Sequence, residues 1–309
     1  MDEVGLWYQY DMRGSYLNLT SVAEQIPLVK DRSSFLSWYT ADEPDGWQYA
    51  LNSTELAYDL LKREDPYHPV GLVLNCENYY FEEYTSGTDY IMEDAYPVGI
   101  DPTYSRSWNT TCNETYGDCG CDDCMGSLLD VSNRLDDFYE YQSWLGQWGK
   151  PLWAVLQAFS GEGYWSRDPT PEESWVMMLL SFNHHAKGIM SWTFPTSSVL
   201  EGAHAAMAKV VTAAPVSNFL IESQPIALST PSHPALDVAF WREGNRALLS
   251  IANTGGLDVD DVIKLPLPFA VKGVASQQWG NLSHTIEGSS GLVLHRVPGL
   301  ATSLMILQL

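Results

Sequence analysis

Two adjacent carboxylates close one of the most apolar stretches of the chain, Trp38-Tyr-Thr-Ala-Asp42-Glu43-Pro44-Asp-Gly-Trp47. Acids side by side resist losing both protons, so one of the two keeps its proton near neutral pH. A protonated carboxyl at the rim of a pocket is what a leaving glycosidic oxygen needs as its general acid. A helix cap would need only one acid here, and Pro44 blocks extension of the strand. Glu43 and Asp42 are therefore the candidate catalytic pair. Other polar and aromatic residues end or follow similar apolar stretches: Asp11, Glu77, Asp94, Tyr96, Gln157 and Trp192. Glu162 lies on the loop Ser160-Gly-Glu162-Gly-Tyr-Trp165. These are candidate substrate contacts, although strand-end acids also cap helices and large aromatics also fill cores.

Other chemistries find little support. His184 and His185 are adjacent in a predicted helix, hence on different faces, whereas a helical metal site wants i, i+4 spacing. Gly-x-Ser-x-Gly is absent, and no Gly-rich phosphate loop follows the first predicted strand. No metal and no cofactor are expected.

Residues 1–224 repeat one theme, a short apolar strand, a polar tip and an amphipathic helix, which points to parallel βα units. Strands are predicted over 5–10, 35–41, 70–75, 90–95, 152–157 and 188–193. Helices are predicted near 19–30, 48–63 and 128–148, with another opened by Pro171. Chemistry-bearing residues at almost every strand's carboxyl end suit a TIM-type (β/α) barrel, with its ring of loops around one pocket. A closed barrel has eight units in about 250 residues. The six units here leave two absent, and the amino end is where they are expected to be missing. On that count 35–41 is the fourth strand of the whole barrel. A second polypeptide or another copy of the chain would otherwise complete the ring, or the sheet stays open like a doubly wound one. From about residue 225 to 309 short strands are predicted over 236–241, 247–252, 261–265 and 303–308, separated by turns such as Asn253-Thr-Gly-Gly256, as in a small antiparallel β-sandwich.

The chain has 309 residues, 45% hydrophobic and 18% charged, as folded proteins have. Thirty-nine acids face 16 Lys and Arg, giving −23, which repels phosphate backbones and argues against a nucleic-acid partner. No stretch of about eighteen apolar residues exists, so no membrane span is expected. Sequons at Asn18, Asn52, Asn109, Asn113 and Asn281 point to a secreted glycoprotein. Cys112, Cys119, Cys121 and Cys124 cluster within thirteen residues. In an oxidising compartment they read as disulfides rather than a zinc knot, with Cys76 left over. Twelve Trp and 17 Tyr offer stacking faces for sugar rings, with Trp47, Trp165 and Trp192 in or beside strand-end loops.

The Asp-Glu-Pro strand end resembles that of the retaining barrel glycoside hydrolases, whose acid/base Glu closes the fourth strand. Their usual preceding residue is Asn, where this chain has Asp42. Met92-Glu-Asp94-Ala-Tyr96-Pro97, Trp153-Ala-Val-Leu-Gln157 and Gly188-Ile-Met-Ser-Trp192 are similar to later strands of such enzymes, so the likeness covers residues 5–195. The resemblance implies Glu43 as acid/base on a carbohydrate substrate. It also implies a nucleophilic Glu where Gln157 stands, and an amide cannot serve. Glu162 could swing in, Asp94 or Glu77 could serve, or no enzyme nucleophile is needed. Hexosaminidases that use substrate assistance carry adjacent Asp and Glu at this place, and Asp-Glu-Pro resembles the β-N-acetylgalactosaminidases of glycoside hydrolase family 123. That likeness implies that Asp42 polarises the 2-acetamido group, Glu43 protonates the leaving oxygen, and Tyr96 and Trp192 shape the pocket. A non-catalytic carbohydrate-binding relic is the alternative from another class.

Overall fold

The computed structural model of the chain describes residues 1–112, 120–147, 149–288 and 291–309. Cys119 and the sequon at Asn113 lie outside the described residues.

The first part runs β1 (Tyr8–Asp11), α1 (Leu19–Val29), β2 (Phe35–Asp42), α2 (Ser53–Glu64), β3 (Val70–Leu74), α3 (Phe81–Ser86) and β4 (Tyr90–Glu93). It continues through a two-stranded ribbon, β5 (Tyr104–Ser105) and β6 (Thr110–Thr111), then α4 (Leu129–Trp144), β7 (Leu152–Gln157), α5 (Pro171–Asn183), β8 (Ala186–Trp192), α6 (Ser198–Val211) and α7 (Val216–Glu222). Six strands form one parallel sheet in chain order, β1-β2-β3-β4-β7-β8, curled into a half-barrel. Among the described residues its edge strands β1 and β8 are not paired with each other. The six predicted strands are all present, each within a few residues. The helix α3 and the ribbon β5–β6 carry no strong periodicity, and the sequence reading missed both. α5 starts at Pro171 with a Thr170/Glu173 capping box. His184 caps its end and His185 has φ 77°, so the pair closes the helix instead of lying within it.

The central strands are buried on both faces, which is why they read as continuous apolar runs. Their convex face packs on the helices through Trp38, Leu72, Leu74, Ile91, Ala154 and Leu156. The concave face carries a separate aromatic layer of Tyr39, Tyr90, Tyr96, Trp153, Phe159 and Trp192. Two glycines make room for it. A Cβ on Gly71 would stand 2.1 Å from Tyr90 Cζ, and one on Gly188 would stand 2.6 Å from the Trp153 ring. The Tyr90 hydroxyl thereby reaches Ser37 at 2.9 Å and the Gln9 amide at 2.8 Å, tying β4 across to β2 and β1. Gly71→Ala is expected to cost about 2–3 kcal/mol in urea unfolding through overpacking. Gly202→Ala is the control: nothing lies within 4 Å of its Cβ position on α6, so no loss is expected there.

The remaining strands are β9 (Ile226–Ala227), β10 (Leu236–Glu243), β11 (Arg246–Asn253), β12 (Ile263–Leu265), β13 (Gly273–Trp279), β14 (His284–Glu287), β15 (Gly291–Leu294) and β16 (Thr302–Gln308). They form a five-stranded sheet, β13-β16-β11-β10-β9, and a three-stranded one, β12-β15-β14, with antiparallel pairing throughout. Val238, Phe240, Leu249, Ile251, Met305 and Leu307 face the smaller sheet across a second core. The alternate residues Trp241, Leu248, Leu304 and Ile306 join the core of the half-barrel, so the larger sheet is a layer shared by both parts. β9, β13, β14 and β15 were not predicted, because β9 is two residues long, β13 is half-exposed and the other two are four residues each.

His184 pins that junction: Nδ1 meets Asp136 of α4 at 2.8 Å and Nε2 meets Asp237 of β10 at 2.8 Å. Burial opposes its charge, but the two carboxylates outweigh it and hold the pKa up to about 10. A pKa raised on folding contributes stability that is complete below the unfolded value of about 6.5 and lost as pH climbs toward 10. His184→Ala is expected to cost about 3 kcal/mol at pH 6. Urea unfolding at pH 6 and 9.5 checks this, and an equal deficit at both values would refute the charged bridge.

Asn18, Asn52, Asn109 and Asn281 are all exposed. Cys121 and Cys124 stand at disulfide distance, with Cα atoms 5.5 Å apart, and Cys76 is a free thiol. No helix among the described residues is long and apolar enough to cross a membrane.

Candidate active site

The carboxyl end of β2 departs from plain alternation. Its register against β3 shifts between Tyr39 and Asp42, so that Tyr39 pairs with Gly71 and Asp42 with Val73. The shift places Asp42 on the concave face with Tyr39, whose hydroxyl donates to Asp42 Oδ1. Glu43 then adopts φ 47°, a left-handed conformation costly for a residue with a side chain. This turn brings the second acid of the pair to the same end of the sheet. The Glu43 amide stays on Val73 O at 3.0 Å, and its carbonyl accepts the Trp47 amide at 3.0 Å, which fixes the turn.

Asp45, from the same motif, holds the neighbouring loop. Its buried carboxylate accepts the amides of Gly46 at 3.0 Å, Asn75 at 3.3 Å and Cys76 at 2.8 Å. Burial still pushes its pKa up to about 7. So held, Asn75 donates from Nδ2 to Glu43 Oε1 at 3.2 Å.

Asp94, which follows β4 and is fully buried, lies against the Glu43 carboxyl. Burial raises the pKa of both; Asp94 works downward on Glu43, while Glu43, Asp42 and Glu93 raise Asp94 further, so the pair retains a proton. Asp94 Oδ1 has no hydrogen-bond partner among the described residues. The ring of Tyr96 is buried beside the three acids, and burial together with Asp94, Glu43 and Asp42 keeps its hydroxyl protonated.

Arg13, on the loop after β1, completes the rim. It pairs with Asp11 at 3.0 Å and Asp42 at 3.2 Å, and its guanidinium lies 4.6 Å from the centroid of the Trp192 ring. Its pKa is raised: burial works against the charge, and the two aspartates outweigh it.

The structure thus gathers Asp42, Glu43, Asp94 and Tyr96, with Asp11 and Trp192 joined to them through Arg13. Three other candidates lie apart. The Gln157 amide is fully buried and spent on both backbone groups of Val98, at 2.9 Å each. Glu77 faces α4, where it accepts the Tyr141 hydroxyl at 3.2 Å and contacts Asp123 and Asp137. Glu162 is exposed on its loop. Trp165 is engaged in packing, its indole N–H donating to the Tyr96 carbonyl at 2.8 Å. Sequence reasoning missed Arg13, Tyr39, Asp45 and Asn75. Asp45 alone carried a local signal, as the third acid of the motif.

No protein-family model matches the chain, and no curated protein matches it. Its fold is similar to those of known carbohydrate-active enzymes. A debranching enzyme of Nostoc punctiforme aligns at TM-score 0.52 and 10% identity, covering 95% of this chain and 62% of that one. A GH30 endoxylanase from Clostridium papyrosolvens aligns at TM-score 0.53 and 12% identity, covering 96% and 72%. AmyP, solved in complex with maltose, aligns at TM-score 0.56 and 8% identity, covering 93% and 67%. The chain thus spans less than two thirds of the debranching enzyme. At these identities the likeness is one of fold.

Proposed function

We propose that the chain is a glycoside hydrolase of oligo- or polysaccharides with Glu43 as general acid/base. The observation that carries this reading is the gathering of Asp42, Glu43 and the buried Asp94 at the carboxyl ends of parallel strands, above an aromatic concave face, where burial raises the Glu43 pKa. Raised by burial, the Glu43 carboxyl holds the pair's proton and supplies it to the departing glycosidic oxygen. As carboxylate it then accepts a proton from the incoming water. Tyr39 and Arg13 fix Asp42 alongside, and Asn75 fixes the Glu43 oxygen. The exposed sequon asparagines and the Cys121–Cys124 pair fit a secreted glycoprotein.

A substrate-assisted version on N-acetylhexosaminides is favoured by one specific feature. The end of β7 offers Gln157, committed to Val98, where the common retaining scheme needs a carboxylate. In this version Asp42 orients the 2-acetamido group, whose carbonyl oxygen attacks the anomeric carbon while Glu43 protonates the leaving oxygen. A panel of aryl glycosides with and without the 2-acetamido group tests both versions. Turnover confined to the acetamido members selects substrate assistance. Absence of turnover on the whole panel and on polymeric glycans would leave the carbohydrate-binding relic.

A further inference from the structure

The ribbon β5–β6 and the loop between β7 and α5 form one wall beside the acids. Ser166 ties that loop to the segment leading into the ribbon, its amide and hydroxyl both donating to Gly99 O, at 2.8 and 2.9 Å. Aromatic rings climb this wall from the site. Trp165 packs 5.9 Å from Tyr96 and 4.4 Å from Phe159, and Tyr164 follows 5.4 Å from Trp165. The crest is Trp108, between the two strands of the ribbon, 64% exposed. Its indole N–H donates to the Tyr164 hydroxyl and its amide donates to Ser105 Oγ at 3.3 Å. The Tyr164 ring is itself backed closely by Gly120, where a Cβ would stand only 2.9 Å away.

A large apolar ring is thus held in a fixed orientation by its own polar atom and left open to water. Arg106, Ser107 and Asn109 surround it, all exposed. One ring in a polar rim is far smaller than the roughly 800 Å² that each partner of a stable protein interface buries. It matches the C–H face of one pyranose ring, and the aromatic column makes it continuous with the acids below.

We propose that Trp108, oriented by Tyr164, is a stacking platform for a pyranose of a glycan chain whose scissile bond lies at Glu43. The substrate is then a chain of several sugars and not a simple monoglycoside. This rests on the glycoside hydrolase reading, and the test separates the two.

The experiment is native affinity electrophoresis of the enzymatically deglycosylated protein in gels containing laminarin, arabinoxylan or glycol chitin. Hydrolysis of the same glycans and of aryl monoglycosides is followed in parallel. The wild type is expected to be retarded by one of the three. Trp108→Ala should weaken that binding about tenfold, while Trp108→Phe, which keeps a flat face, retains most of it. Aryl monoglycoside turnover is expected to be unchanged in Trp108→Ala. Equal retardation of wild type and Trp108→Ala overturns the platform, as does a wild type retarded by none of the glycans. Binding through Trp108 with no hydrolysis of any substrate would keep the platform and remove the catalytic reading. Hydrolysis with polymer KM unaffected by Trp108→Ala would do the reverse.

Discussion

Glu43→Gln is expected to lower kcat/KM by about a thousandfold or more on any glycoside the wild type cleaves, in line with loss of a general acid. Gln keeps the shape and can still bond Asn75 or Asp94, so folding and substrate binding should survive. The loss should therefore fall on kcat rather than KM. Aryl glycosides with activated leaving groups need less protonation and should lose less, which separates an acid from a merely structural glutamate. Asp94→Leu gives a second, independent readout. Burial raises the Glu43 pKa and the contact with Asp94 lowers it, so removing that partner leaves Glu43 holding its proton more tightly. The alkaline limb of the pH–rate profile should then move to higher pH. An unchanged limb in Asp94→Leu, or a Glu43→Gln variant of wild-type activity, would remove Glu43 from the role of acid.

Stability is expected to fall by about 3 kcal/mol between pH 5 and 8. The cause is a set of buried acids that folding keeps protonated. Glu93, fully buried at the end of β4, accepts among the described residues only the Ala95 amide at 2.8 Å, and burial pushes its pKa up to about 8. Burial likewise takes Asp45 to about 7. For carboxyls raised above their unfolded values of 4.5 and 3.8, the stabilisation is complete below those values. It is then lost as pH climbs through the folded ones. The His184 bridge weakens over an overlapping range, and the formal charge of −23 at pH 7 adds self-repulsion in the same direction. On the acid side Asp65 and Glu173 act oppositely. Burial is outweighed by His68 and Trp38 at Asp65 and by Arg167 at Glu173, so their lowered pKa values make stability fall below about pH 4. The optimum should therefore lie near pH 5. Urea unfolding across pH 4 to 9 measures this, and Glu93→Gln should flatten the slope above pH 5. A flat profile in the wild type would mean that these acids ionise within the fold.

Much of the architecture follows from local pattern. Val70–Leu74 and Leu152–Gln157 are apolar runs because both faces of a central parallel strand are covered, and that run is visible without any partner. Thr170, Pro171 and Glu173 announce the start of α5 by themselves. Asp42, Glu43 and Pro44 announce the end of β2. Six units, an acidic pair and a change to antiparallel strands near residue 225 are thus properties of short windows, where propensity and periodicity act.

The working geometry is not a property of short windows. Strict alternation from Tyr39 would turn Asp42 to the helical side. The register shift against β3 reverses that, and it is decided by pairing with a strand some thirty residues away. Arg13 reaches Asp42 across 29 positions, and Asn75 reaches Glu43 across 32. Gln157, at a strand end like the others, is withdrawn because the backbone of Val98, 59 positions away, satisfies both ends of its amide. Trp108 sits in an insertion without periodicity, and only the docking of its indole on Tyr164 makes it a fixed face. The sequence by itself determined which residues could carry a proton and roughly at which end of the strands. Only the tertiary structure decided which of them meet, because burial and hydrogen bonding between distant segments set both the contacts and the proton affinities.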